Sequence, residues 1–250
     1  RPVTLVYNGD NSEQYSDQQM LSATLTDVLS GTPLSGKTIT FTIGTQSVTA
    51  VTNASGIASA TLILTQNPDL TTYTVKTVFN GDATYVAGND EDAFDITDED
   101  ARAEYIGTQF QATASATSGT ATVQLQASIL DITAVTGNPA TDAYAGTITN
   151  ARVKFVLYNG STFTDISGWL TPALINSSDS KVGVVSFDWP VNIGTADAAQ
   201  YNVGIVIDNG YYIGEAPVNT ITVVTVYKPL GDFVTGGGYI IPTQSGGTYA

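Results

Sequence analysis

Apolar and polar residues alternate one by one in short runs along this chain, and the runs recur roughly every ten residues. In KTITFTI, Ile39, Phe41 and Ile43 fall on one side and Thr38, Thr40 and Thr42 on the other. Leu21, Ala23 and Leu25 line up in the same way, as do Ala58, Ala60, Leu62 and Leu64, and again Tyr73, Val75 and Phe79. A period of two is what a strand with one buried and one wet face requires. No segment carries a 3.6-residue period, and charged residues are only 12% of the chain, too few for the polar faces of amphipathic helices. The stretches SGTPLSG (30–36), TNASG (52–56) and FNGDATY (79–85) place turn residues between the runs. The expectation is an all-β chain of sandwich architecture.

A length of 250 residues accommodates two such sandwiches, each with its own core. The second half repeats the plan of the first: LQASILD (125–131) echoes LSATLTD (21–27), and Val153, Phe155 and Leu157 stand where Ile39, Phe41 and Ile43 stood. VVSFDWPV, QYNVGIVID and NTITVVTVY supply three further strands. Between the halves, the stretch from Asp90 to Glu104 holds eight of the chain's 23 carboxylates and a single cation, Arg102. The expected division is a first sandwich over 1–97, an acidic interdomain linker over 98–104, a second, longer-looped sandwich over 105–227, and a C-terminal strand segment over 228–250. That last segment, with its Gly236–Gly238 triplet, reads as the start of a further domain or as a strand for assembly. The chain opens on Arg1 rather than Met, and both termini read as cuts through a longer polypeptide.

Composition removes several functions. Cysteine and histidine are absent, so thiolate chemistry, disulfides and imidazole ligands or bases have no residues to work with. A net charge of −15 disfavours nucleic acid, and no run approaches the roughly 20 apolar residues that a membrane-spanning helix needs. Outside the acidic stretch the carboxylates, among them Asp69, Asp142, Asp179 and Asp208, are scattered singly at turns, and nothing selects a catalytic pair. No enzyme is expected.

The acidic junction is the sharpest candidate site. Calcium takes six to eight oxygen ligands in irregular geometry, so Asp95, Asp98, Glu99, Asp100 and Glu104 are the expected ligands of a structural ion that would stiffen the hinge. A solvated acidic spacer is the alternative. Asn8-Gly9-Asp10 and Asn80-Gly81-Asp82 read as tight turns, and Asp27 and Asp131, at matching places in the two halves, as caps on the loops after them. Trp169, Trp189, Tyr211 and Tyr212 are candidates for a sugar-binding platform, with Trp189 in an alternating run that points it inward and Trp169 the better surface residue.

The run PLSGKTITFTIGTQSVTAVTNASGIASATLIL, followed by TYTVKTVFNGDATY, resembles the immunoglobulin-like repeats of large exported bacterial surface proteins and adhesins. The stretches ITDEDARAEY, LQASILDITAVTG, NARVKFV and KPLGDFVTGGGYI resemble the segments that come after such repeats in multidomain exported bacterial proteins. The resemblance implies two tandem immunoglobulin-like sandwiches on the cell surface or outside the cell, serving as a non-catalytic structural or adhesive spacer whose partners are neighbouring domains of the same polypeptide. A filament subunit joined through residues 228–250, with self-association, and a carbohydrate-binding module with a glycan partner are the alternatives.

Overall fold

The computed structural model describes residues 1–68, 72–138, 141 and 143–229. The C-terminal segment from residue 230 onward, including Gly236–Gly238 and the strand expected to serve assembly, lies outside the described residues, as do Asp69 and Asp142.

The first eight strands are β1 (Val3–Tyr7), β2 (Ser12–Gln14), β3 (Gln18–Asp27), β4 (Thr38–Ile43), β5 (Gln46–Val51), β6 (Ile57–Ile63), β7 (Tyr73–Phe79) and β8 (Gly88–Thr97). They form a three-stranded sheet, β1-β3-β6, facing a five-stranded one, β2-β8-β7-β4-β5. The next ten are β9 (Glu99–Tyr105), β10 (Phe110–Ala112), β11 (Thr120–Asp131), β12 (Val153–Tyr158), β13 (Phe163–Asp165), β14 (Ala173–Leu174), β15 (Val182–Asn192), β16 (Ala198–Ile207), β17 (Tyr212–Gly214) and β18 (Thr222–Tyr227). These give the sheets β14-β15-β11-β9-β17 and β10-β18-β16-β12-β13. Both units have the strand order of an immunoglobulin-like sandwich. The alternation seen in the sequence sets the faces: Leu21, Ala23 and Leu25 of β3 and Ile39, Phe41 and Ile43 of β4 are fully buried, and so are Val153 and Phe155 of β12.

The duplication extends to detail. Each unit begins with a strand that pairs antiparallel in one sheet and then crosses to pair parallel in the other: β1 on β3 then β2 on β8, and β9 on β11 then β10 on β18. At each crossing a tyrosine hydroxyl donates to the carbonyl three residues on, Tyr7 to Asp10 and Tyr105 to Thr108, both at 2.8 Å. The glycine between them, Gly9 or Gly107, lies so close to that tyrosine and to the neighbouring strand that a Cβ would collide. Asn8-Gly9-Asp10 is therefore a crossing that needs a small residue, whereas Asn80-Gly81-Asp82 is the expected turn, with Gly81 at φ +81°.

The expected linker over 98–104 is corrected by the structure. Only Asp98 lies between β8 and β9, and β9 pairs with β11 on one side and with β17 on the other. Its inward positions are Glu99, Ala101, Ala103 and Tyr105, so the strand has no Val, Ile or Phe on the face that betrays strands elsewhere. With no spacer between them, the two sandwiches meet directly, and their buried apolar residues form one continuous cluster.

Candidate functional site

The meeting point is built around Tyr15. Beyond β2 the chain turns sharply at Ser16, which adopts φ +73°, and backbone hydrogen bonds from Tyr15 to Thr97 (2.9 Å) and from Ser16 to Leu64 (2.8 Å) fix the corner. Tyr15 projects from it into the second sandwich and is only 5% exposed. Its ring meets Tyr211 and Tyr212 edge-on, with centroids 4.7 and 5.9 Å away, an arrangement favoured by the aromatic quadrupoles. Its hydroxyl accepts from Asn150 Nδ2 at 2.9 Å. Gly146 lies against both Tyr15 and Tyr212, where any Cβ would collide.

The socket is held by a buried carboxylate. β17 lies parallel to the start of β9, with Tyr212 opposite Glu99, and the Glu99 amide donates to the Tyr211 carbonyl at 3.0 Å. Tyr212 is fully buried and its hydroxyl donates to Asp131 Oδ2 at 2.9 Å. Asp131 also accepts from Gly146 N (3.0 Å), Thr133 N (3.0 Å) and Thr133 Oγ1 (2.6 Å). Four donors thus compensate a fully buried charge, the condition under which burying one is tolerable. Burial first, and then the Asp131 charge and hydrogen bond, push the Tyr212 hydroxyl far above its ordinary range, so it stays a donor at any physiological pH. Around the rim, Ser16 Oγ donates to Glu99 Oε2 (3.2 Å), the Tyr144 hydroxyl to Gln18 Oε1 (2.7 Å), and Gln14 Nε2 to the Asp98 carbonyl (3.2 Å) and Asp100 Oδ2 (3.3 Å).

The residues expected to bind calcium are strung along this region rather than gathered in it. Asp95 is exposed on β8, beside β2, and Glu104 is exposed on β9 in a 3.3 Å ion pair with Arg102. At about 3.3 Å per residue, Asp95 and Glu104 stand up to about 13 and 16 Å along the chain from Glu99, whereas calcium ligands lie about 2.3–2.6 Å from the ion. Asp98, Glu99 and Asp100 do lie at the joint, with Glu99 fully buried and Asp100 on the opposite face of the strand. Among the described residues no three acidic side chains form a group that could hold a metal ion.

The capping residues are where the sequence places them. Asp27 Oδ1 accepts from the amides of Leu29 (2.8 Å) and Ser30 (3.4 Å), as Asp131 does from Thr133. Asp82 caps its turn through the amides of Thr84 and Tyr85 and pairs with Lys37 at 2.6 Å; the Lys37 bond, and then the two amides, bring its carboxyl down to about 2. The four aromatics do not form one platform. Tyr211 and Tyr212 belong to the joint, Trp189 is half-buried against Tyr201 (5.1 Å), and Trp169 is outward at 39% exposure. Sequence reasoning missed Tyr15, Gly146 and Asn150, because the polar run SEQYSDQQ hides the tyrosine and the other two sit in long loops.

No protein-family model matches the chain, and no curated protein matches it. Among solved structures it is similar to the adhesin InvE of Yersinia pseudotuberculosis, with 15% identity, 91% of this chain and 58% of that one covered, and a TM-score of 0.43. It is also similar to a tetra-tandem repeat in the extending region of a large adhesion protein (16% identity, 89% and 47% covered, TM-score 0.39). A third similarity is to the D1–D4 ectodomain fragment of ICAM-5 (13% identity, 90% and 53% covered, TM-score 0.38). The chain spans about half the length of these structures. At such identities and scores the sandwich assignment rests on this chain's own strand order. No helix among the described residues is long and apolar enough to cross a membrane.

Proposed function

We propose that this chain is a stiff, non-catalytic segment of an extracellular or cell-surface bacterial protein, in which two immunoglobulin-like sandwiches act as one rod. The observation that carries this reading is the seating of Tyr15 in the Tyr211–Tyr212 socket with a single residue, Asp98, between the last strand of one unit and the first of the next. A flexible tether would leave such an aromatic in water; here removing it from water stabilises one relative orientation of the units. The resemblance of residues 1–97 to the repeats of bacterial surface proteins supports the same setting.

Small-angle X-ray scattering tests it. The intact chain is expected to scatter as one elongated particle of fixed shape, and Tyr15→Ala to broaden the distribution of end-to-end distances. A wild-type distribution as broad as that of the variant would overturn the reading.

Calcium at the joint is part of the proposal in a narrowed form, with Asp98 and Glu99 as its carboxylate ligands. Its support is the placement of both residues at the joint, with Glu99 fully buried. Melting in millimolar calcium and in chelator is expected to differ by several degrees; equal melting temperatures and a flat calcium titration would reject it.

A further inference from the structure

The hairpin of β12 and β13 and the segment just after it carry three aromatic side chains that the core does not use. Tyr158, Phe163 and Trp169 neither belong to the buried cluster nor pack against it. Phe163 is 38% and Trp169 39% exposed. Tyr158 and Phe163 are directly opposite each other across the strand pair, and their rings stack at 4.8 Å and 28°. Two and four residues back along β12, Val156 and Lys154 point to the same side as Tyr158. Lys154 Nζ lies 4.7 Å above the Trp169 ring and pairs at 2.9 Å with Asp165, which stands opposite Val156. All three rings therefore face outward from one sheet, with a lysine–aspartate pair between the stacked pair and the tryptophan.

The rings are also held in place. The Tyr158 hydroxyl donates to the Gly160 carbonyl at 2.8 Å. Past β13 the chain is fastened back onto β12 on either side of Trp169: the buried Ser167 hydroxyl accepts from the Phe155 amide (3.0 Å), and Leu170 exchanges both backbone hydrogen bonds with Val153 (2.7 and 3.0 Å). A tryptophan exposed on a stapled segment, with its ring pinned by an ammonium, is preordered for contact at little further entropic cost.

We propose that this face binds a neutral oligosaccharide chain. Sugar rings present apolar C–H faces that stack on aromatic rings, and hydroxyl edges that need both donors and acceptors. Asp165, 60% exposed, offers acceptor oxygens between the rings, with the Lys154 ammonium beside it. Lys154 and Tyr158, which mark the two ends of the platform, are about 13 Å apart along the strand, a span for several linked sugars rather than one. The net charge of −15 repels acidic polysaccharides and selects the neutral class. The inference goes beyond the rod and is independent of it: the joint lies elsewhere, and either reading stands if the other fails.

Affinity electrophoresis of the intact chain through gels containing mannan, arabinoxylan, mixed-linkage glucan or dextran tests it, with alginate as the acidic control. Retardation is expected in at least one neutral gel, with tryptophan emission shifting on addition of the matching oligosaccharide. Trp169→Ala should weaken retention at least tenfold with the melting temperature within a few degrees of wild type. Tyr158→Ser serves as the second variant if Trp169→Ala misfolds, and Trp169→Phe should keep part of the binding. Migration unchanged in every neutral gel, retention only by alginate, or retention indifferent to both variants would overturn the proposal. Trp169-dependent capture of a protein with no glycan response would overturn it too, in favour of a protein partner.

Discussion

Among the described residues the same pole occurs twice, once covered by the neighbouring sandwich and once bare. In the first sandwich Val3 pairs with Asp27, and in the second Ala101 pairs with Asp131, so the two aspartates occupy one position in the fold. Two residues before each strand pair's anchor stand Arg1 and Glu99, and the loop ahead of the last strand brings the Thr84 carbonyl to Arg1 as it brings Tyr211 to Glu99. In the bare pole Asp27 is neutralised by Arg1, whose guanidinium is still 44% exposed. In the covered pole Asp131 has four hydrogen-bond donors in its place. The residue after the aspartate changes in step: Val28 is 52% exposed and Ile132 only 5%. One carboxylate position thus tolerates two environments: Asp27, itself only 2% exposed, is held by two backbone amides and the Arg1 cation, and Asp131 by four hydrogen-bond donors without a cation.

The largest test of that contrast is Tyr15→Ala, which removes the buried plug and is expected to cost about 3–5 kcal/mol, the usual range for truncating a buried aromatic. Calorimetry should then resolve two transitions where the intact chain gives one; Tyr85→Ala, in the corresponding loop of the bare pole, should leave a single transition. Next come the aspartates. Asp131→Ala strands the Tyr212 hydroxyl and the Gly146 amide and is expected to cost about 3 kcal/mol, against about 1 kcal/mol for Asp27→Ala, which loses a cap and a half-exposed ion pair. Equal losses in chemical denaturation would break the comparison.

The smallest effect is in pH. The Asp82 carboxyl is lowered from 3.8 to about 2, so its contribution is present above pH 4 and is lost as pH falls toward 2. The Tyr212 hydroxyl is raised above its ordinary 10, so its contribution is present below pH 10 and is lost as pH rises beyond it. The bare pole should therefore weaken in acid and the joint in alkali. Melting curves of Asp82→Asn and Tyr212→Phe against pH check this: the first should flatten the acid limb and the second the alkaline limb, each leaving the other unchanged.

Much of the fold was legible because strand faces are set by neighbours two apart. Ile39, Phe41 and Ile43 announce a buried face wherever they occur, and so do Val153 and Phe155. β9 was not legible, since its inward face is made of Glu99, two alanines and only at its end Tyr105, and a run of acids at inward and outward positions alike reads as solvated chain. The acidic stretch runs through the passage from β8 to β9, with only Asp98 between the two strands. The five carboxylates expected as ligands are spread along β8, β9 and the residue between them, because successive residues of a strand stand about 3.3 Å apart along it. Tyr211 and Tyr212 stand out in the sequence as adjacent aromatics, and only the packing shows that the ring they meet is Tyr15.

The sequence by itself determined what depends on local geometry: strands from alternation, the turn at Gly81, the caps at Asp27 and Asp131, and the repetition of one sandwich plan. The tertiary structure alone decided which polar and aromatic groups meet. Asn150 and Tyr15 are 135 residues apart and share a hydrogen bond. Contacts of that kind arise from how two folded units close on each other, and no periodicity along the chain encodes them.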